Sequence, residues 1–165
     1  MNRKKKLSFG ELYALVEYNM DCPSECSICE DNFMQLLPGE IEYLSDQCKI
    51  SKTKIANKHI LNGKTVWMIR NNEKDCNFYK CGRCMKREIR PLDCRTYPVV
   101  PCFKNNKISA RLSEECPLVK SNSICKEFIK KAVKSWKVAN PPKWWMKIYE
   151  KECLDYKCNS LIKCK

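Results

Sequence analysis

The sequence predicts a small α+β fold, helix-rich and irregular, with one or two short β-hairpins. Three observations lead there. The chain has 165 residues, a length for one domain. Apolar residues make up 44% of it, but that figure counts 14 cysteines, and without them it falls to about 36%. That is a thin supply for a close-packed core, so cross-links or metal are expected to supplement it. Helical periodicity recurs along the chain, whereas strand-like alternation is confined to short stretches with Asn-rich turns. Other classes are excluded at once. A (β/α)₈ barrel needs more residues, and the four scattered glycines, Gly10, Gly39, Gly63 and Gly82, build no glycine-rich phosphate cradle.

Each element has its own signal. Ser8-x-x-Glu11 is a capping box opening an amphipathic helix with Phe9, Leu12, Tyr13 and Val16 on one face. Pro38 suits the first position of a second helix, which would carry Ile41, Leu44 and Cys48 inward, Cys48 as a core residue. The stretch from His59 to Arg70 reads as a hairpin turning at Asn62-Gly63, with Val66 to Ile69 in its second strand. His59, the one histidine, is read as a hairpin residue rather than a ligand. A second hairpin is expected from 99–103 and 108–112 around Asn105-Asn106. From Ser123 to Lys137, Ile124, Phe128, Ala132 and Trp136 fall at helical spacing with lysines opposite. Asn140-Pro141 ends that helix, and Pro142 starts another bearing Trp145, Ile148 and Tyr149.

The cysteines are grouped: Cys22, Cys26 and Cys29; Cys76, Cys81, Cys84 and Cys94; Cys102, Cys116 and Cys125; Cys153, Cys158 and Cys164. Basic residues open the chain, but Glu11 and Glu17 bracket the following apolar run, which is too short for a secretory leader. No stretch is long and apolar enough to span a membrane. A cytoplasmic protein is therefore expected, where clustered thiols are more often metal ligands than disulfides. The C-x₃-C-x₂-C spacing of the first group and the C-x₂-C pair of Cys81 and Cys84 suit iron–sulfur ligation. Zinc is the alternative, though its structural sites prefer two C-x₂-C pairs or two histidines. On this reading the fold is organised around metal or cluster sites.

Several segments together resemble the YkgJ-type cysteine-cluster family, a zinc- or iron-chelating domain with a CxxCxxCC signature. They are CPSECSICE from Cys22, LLPGEIEYL from Leu36, CNFYKCGRCMKREIRPLDCRTYP from Cys76, and Cys116-Pro117. Cys84, Arg90, Pro91, Cys94, Arg95, Tyr97 and Pro98 stand in register with the most specific of the family's motifs. The doubled cysteine is here Cys29-Glu30, so Glu30 or Cys81 would fill the missing place. The resemblance, over about residues 20–120, implies eight ligands for two sites: Cys22, Cys26, Cys29, Cys76, Cys81, Cys84, Cys94 and Cys116. It also implies that Arg90 and Arg95 orient the ligand loop through carbonyls or approach the cluster sulfurs, the competing reading being surface or packing arginines. More distantly, the family resembles the cysteine domain of flagellin lysine N-methylases, whose larger body has no counterpart in these residues.

Three segments follow: a basic arm and amphipathic helix over 1–19, a cysteine-cluster domain over 20–120, and a lysine-rich helical extension over 121–165. In the extension, Cys153, Cys158 and Cys164 with Cys102 or Cys125 would supply a third site; the competing reading is a frayed tail of free thiols. The expected function is an iron–sulfur protein with two [4Fe–4S] clusters, serving electron transfer or a partner enzyme; a third cluster on the extension stands as the alternative to the tail of free thiols. The alternatives are a cluster-dependent enzyme with an open iron, related to the methylases, and a zinc module contacting nucleic acid. The net charge of +13 divides unevenly, with +4 on residues 1–6, +8 on 120–165 and only +1 between. Those basic flanks suit an acidic redox or client protein ahead of nucleic acid, and no membrane.

Overall fold

The computed structural model describes residues 7–16, 34–69, 78–80, 83–84, 87–104 and 107–153. Ser8 opens helix α1, Phe9–Ala14, by the expected reciprocal cap: the Glu11 amide donates to Ser8 Oγ at 3.3 Å and the Ser8 amide to Glu11 Oε2 at 2.8 Å. Leu12, Tyr13 and Val16 are buried below it. Strand β1, Met34–Gln35, leads into helix α2, Glu40–Cys48. Here the expectation for Pro38 needs correction. Pro38 is not the first helical residue but the corner of a tight turn with Gly39 at φ 86° and ψ −7°, closed by the Glu40 amide on the Leu37 carbonyl at 2.9 Å. Pro followed by a positive-φ glycine is type II turn chemistry, and it outweighs the preference of proline for a helix start. Ile41 and Leu44 do face inward, and Cys48 is half-buried against the same cluster.

A short helix α3, Lys52–Ile55, precedes strands β2, Asn57–Leu61, and β3, Lys64–Ile69. Their two-residue turn places Asn62 at φ 50° and Gly63 at φ 69°, as a type I′ hairpin requires. Leu61 lies opposite Lys64 and Asn57 opposite Met68. β1 pairs with the far edge of β3, giving an antiparallel sheet of order β1-β3-β2. Strand alternation then divides β3 between two surroundings. Val66 and Met68 pack on Ile148, while Trp67 and Ile69 pack with Ile41, Leu44 and Ile55.

Strands β4, Tyr79–Lys80, and β5, Arg83–Cys84, form a second small antiparallel pair that alternation did not reveal. A 3₁₀ turn over Arg87–Ile89 follows, then helix α4, Leu92–Thr96. The expected second hairpin is present as β6, Val99–Lys104, and β7, Lys107–Leu112. After helix α5, Pro117–Lys120, come helix α6, Lys126–Ala139, and helix α7, Lys143–Cys153. Asn140 caps α6 in the left-handed conformation, and the Met146 amide bonds to the Pro142 carbonyl at 3.1 Å.

The described residues thus form a small α+β protein. Leu12, Tyr13, Leu37, Leu92, Trp136, Trp145, Met146 and Tyr149 share one core cluster, so residues from all three segments of the chain meet there. Trp145 stacks on Tyr149 with centroids 5.0 Å apart. Both deepest indoles have their N–H satisfied, Trp136 on Thr96 Oγ1 at 2.9 Å and Trp145 on the Leu36 carbonyl at 2.8 Å. Truncating either to alanine would cost about 3–5 kcal/mol.

Candidate metal centre

The candidate centre is built around α4. Leu92, Asp93, Arg95 and Thr96 are all buried, leaving Cys94 as the half-exposed position of this helix. Cys94 packs beside the cluster that contains Met34, Ile69 and Phe78. Those three residues border the cysteine-bearing stretches: Cys29 precedes Met34 by five residues, and Cys76 lies between Ile69 and Phe78.

Arg95 gathers the backbone around that helix. Its Nε donates to the Arg90 carbonyl at 2.9 Å, and Nη1 to the Val16 carbonyl at 3.3 Å. Nη2 donates to the carbonyls of Glu88 and Arg87. The guanidinium lies 4.6 Å from the centre of the Tyr13 ring, a cation–π contact. A planar fork of five donors can hold several carbonyls at once, which an ammonium cannot do in this geometry. One side chain therefore joins the end of α1, ahead of Cys22, to the 3₁₀ turn that follows Cys84. Burial lowers its pKa, opposed by the phenols of Tyr13 and Tyr43 and the carboxyl of Glu40.

Two buried carboxyl groups brace the same helix. Glu40, fully enclosed, accepts from Tyr13 Oη at 2.6 Å and the Leu92 amide at 2.8 Å through Oε1, and from the Leu37 amide at 2.8 Å through Oε2. Burial pushes its pKa up, while these donors and Arg95 pull it back. The Tyr13 hydroxyl is raised well above its ordinary range by burial and by Glu40. Asp93 accepts from Tyr149 Oη at 2.8 Å on Oδ1, while Oδ2 is buried without a partner, as is Gln35 Oε1. Burial pushes the Asp93 carboxyl up to about 7, opposed by Tyr149 and reinforced by the nearby Glu40.

The sequence reading did not single out Glu40, Asp93, Tyr13 or Tyr149 as site residues. The available signal was indirect: an acid directly after a Pro-Gly turn, and another between two apolar-flanked motif positions. Glu40 has both oxygens occupied by donors, whereas Asp93 accepts through Oδ1 alone. Cys94 on α4 offers a sulfur donor, a ligand type that suits zinc or iron–sulfur ligation.

The expected ligands are placed as follows. Cys94 is half-buried on α4, and Cys116 is buried as the N-cap of α5 among Tyr97, Val100, Leu118 and Val119. The two pack into different clusters. Cys84 ends β5. Cys22, Cys26, Cys29, Cys76, Cys81 and Glu30 lie outside the described residues, as do Cys158 and Cys164. Of the residues expected for a third site, Cys102 is buried on β6 opposite Ser109, Cys125 is exposed at the start of α6, and Cys153 ends α7. The Cys125 thiol has a lowered pKa because the amides of Phe128 and Glu127 face it. Cys48, Cys94, Cys102, Cys116 and Cys125 are thiols rather than half-cystines. Among the described residues no three His, Cys, Asp or Glu side chains stand together to hold a metal ion.

Arg90 is half-buried, and its carbonyl is one of the four that Arg95 holds. Trp136 and Trp145 are fully enclosed, so neither is available to stack on a base. No helix among the described residues is long and apolar enough to cross a membrane. No family model, curated protein or solved structure matches this chain.

Proposed function

We propose that this chain is an iron–sulfur protein whose thiolates assemble beside α4, serving electron transfer or the chemistry of a partner enzyme. The supporting observation is the set of carbonyls held by Arg95. Backbone leading towards Cys22 and backbone following Cys84 are fixed to the helix that bears Cys94. Cys94 would be a ligand, joined by thiolates of the Cys22 and Cys76 groups; Cys116 would belong to a second set. Bound clusters supply one-electron chemistry. The protein's part is to hold the loops, to keep water from the buried side of α4, and to place donors near the sulfurs, which tunes potential.

The test compares Cys94→Ser with Cys48→Ser after anaerobic purification. Cys94→Ser is expected to lose about half of the bound iron and acid-labile sulfide, one cluster of two, while Cys48→Ser keeps both. A Cys94→Ser protein with the full complement of iron and sulfide would overturn the assignment of Cys94.

A further inference from the structure

Helix α6 has 14 residues, and its inner face, Phe128, Ala132, Val133 and Trp136, is buried. Its outer face carries Lys126, Lys130, Lys134 and Lys137, which recur every three or four residues and form one stripe, with Lys131 beside it. All five are exposed, and among the described residues none of them enters an ion pair. Lys130, Lys131 and Lys134 border a shallow groove of about 390 Å³ together with Glu127 and with Ala14 and Leu15 at the end of α1. The groove is therefore cationic along one side and apolar on the other.

We infer that this groove is a docking surface for an acidic amphipathic helix of a partner protein. Lysines four apart on a helix are about 6 Å apart along the axis, and so are carboxylates four apart on a facing helix. Leu15 and Ala14 give the apolar side of such a helix a place to rest. Two observations favour protein over nucleic acid. The enclosed indoles Trp136 and Trp145 leave no stacking platform on this face. Residues 126–153 include eight lysines and no arginine, whereas bidentate phosphate and base recognition draws on arginine. Lysine charge of this kind steers encounter and gives a salt-sensitive complex.

The experiment titrates the full chain, as purified, into a labelled helical peptide with glutamates at i and i+4 and leucines on the adjoining face. Binding is read by fluorescence anisotropy at about 20 mM and about 200 mM salt. The peptide is expected to bind at low salt and weaken at least about tenfold at high salt. The triple variant Lys130→Glu, Lys131→Glu, Lys134→Glu is expected to lose at least about tenfold in affinity. The matched control Lys54→Glu, Lys58→Glu, Lys64→Glu, on α3 and the β2–β3 hairpin, should lose less than about twofold. A Lys→Gln triple at the three α6 sites must weaken binding in the same direction with an unchanged circular dichroism melt. Equal losses in the two Glu triples would reduce the effect to net charge and overturn the proposal. So would tighter binding of duplex DNA than of the peptide at the same salt, or no binding at low salt. The readout is independent of metal content, so this inference and the iron–sulfur reading can fail separately.

Discussion

Replacing Glu40 with glutamine tests the bracing of α4 at the point where three elements meet. The carboxylate receives Tyr13 Oη and the Leu92 amide on one oxygen and the Leu37 amide on the other. An amide side chain has only one acceptor atom. Its oxygen would keep the two donors on the Oε1 side, and its NH₂ would then meet the Leu37 N–H, donor against donor. A buried donor left unsatisfied costs about 1–3 kcal/mol. The two retained bonds fall from charge-assisted to neutral strength, roughly another 1 kcal/mol each. Relief of the carboxylate's desolvation offsets part of this. The net expectation is a loss of about 2–4 kcal/mol at neutral pH, a fall of roughly 4–16 °C in melting temperature for a chain of this size. Tyr13→Phe removes one donor and leaves Leu92 on Oε1, so it should cost about 1 kcal/mol. Thermal melts followed by far-UV circular dichroism on both variants and the double variant read these values and their coupling. Glu40→Gln melting within about 1 °C of the parent would refute the argument, because the carboxyl would then behave as a neutral acid with no need of three donors.

Arg95→Lys keeps the charge but removes the fork, so at least two of the four carbonyls lose their partner. Melting should fall by roughly 4–8 °C, corresponding to about 2 kcal/mol, and bound iron should be stripped faster by a chelator; unchanged values for both would contradict the anchoring role. Asp93 holds its proton to about pH 7 in the folded chain, against an ordinary value of 3.8. The folded state then binds more protons than the unfolded state between those values, so this group's contribution makes stability decline as pH rises through that window and level off above it. Asp93→Asn should remove that part of the slope in a pH series of urea titrations; an identical slope would show that Asp93 does not titrate there. Gly39→Ala forces a side chain into the left-handed region and should cost about 1–2 kcal/mol, and a melting temperature equal to the parent's would count against the turn.

Much of the architecture was legible because it rests on local chemistry. The Ser8–Glu11 box, the Asn62-Gly63 turn and the period of Phe128, Ala132 and Trp136 each act within a few residues, and each element is present. The strand Met34–Gln35 was not legible: two residues carry no period, and pairing with β3 alone defines it. Pro38 fits a helix start and a type II turn equally well until Gly39 at φ 86° decides between them. The buried acids were hidden for a different reason. A glutamate or aspartate in sequence reads as solvent-facing, and only tertiary donors from Tyr13, Leu92 and Tyr149 make Glu40 and Asp93 tolerable inside. Of the expected metal ligands, spacing supplied the grouping, and the described residues add the positions of Cys94 on α4 and Cys116 at the start of α5.

The most direct measurement is a count of iron, acid-labile sulfide and zinc per chain in protein purified without oxygen. Two four-iron clusters predict about eight iron and eight sulfide per chain, a brown solution with a broad band near ~400 nm, and no stoichiometric zinc. A colourless protein with one or two zinc ions per chain and no sulfide would contradict the iron–sulfur reading.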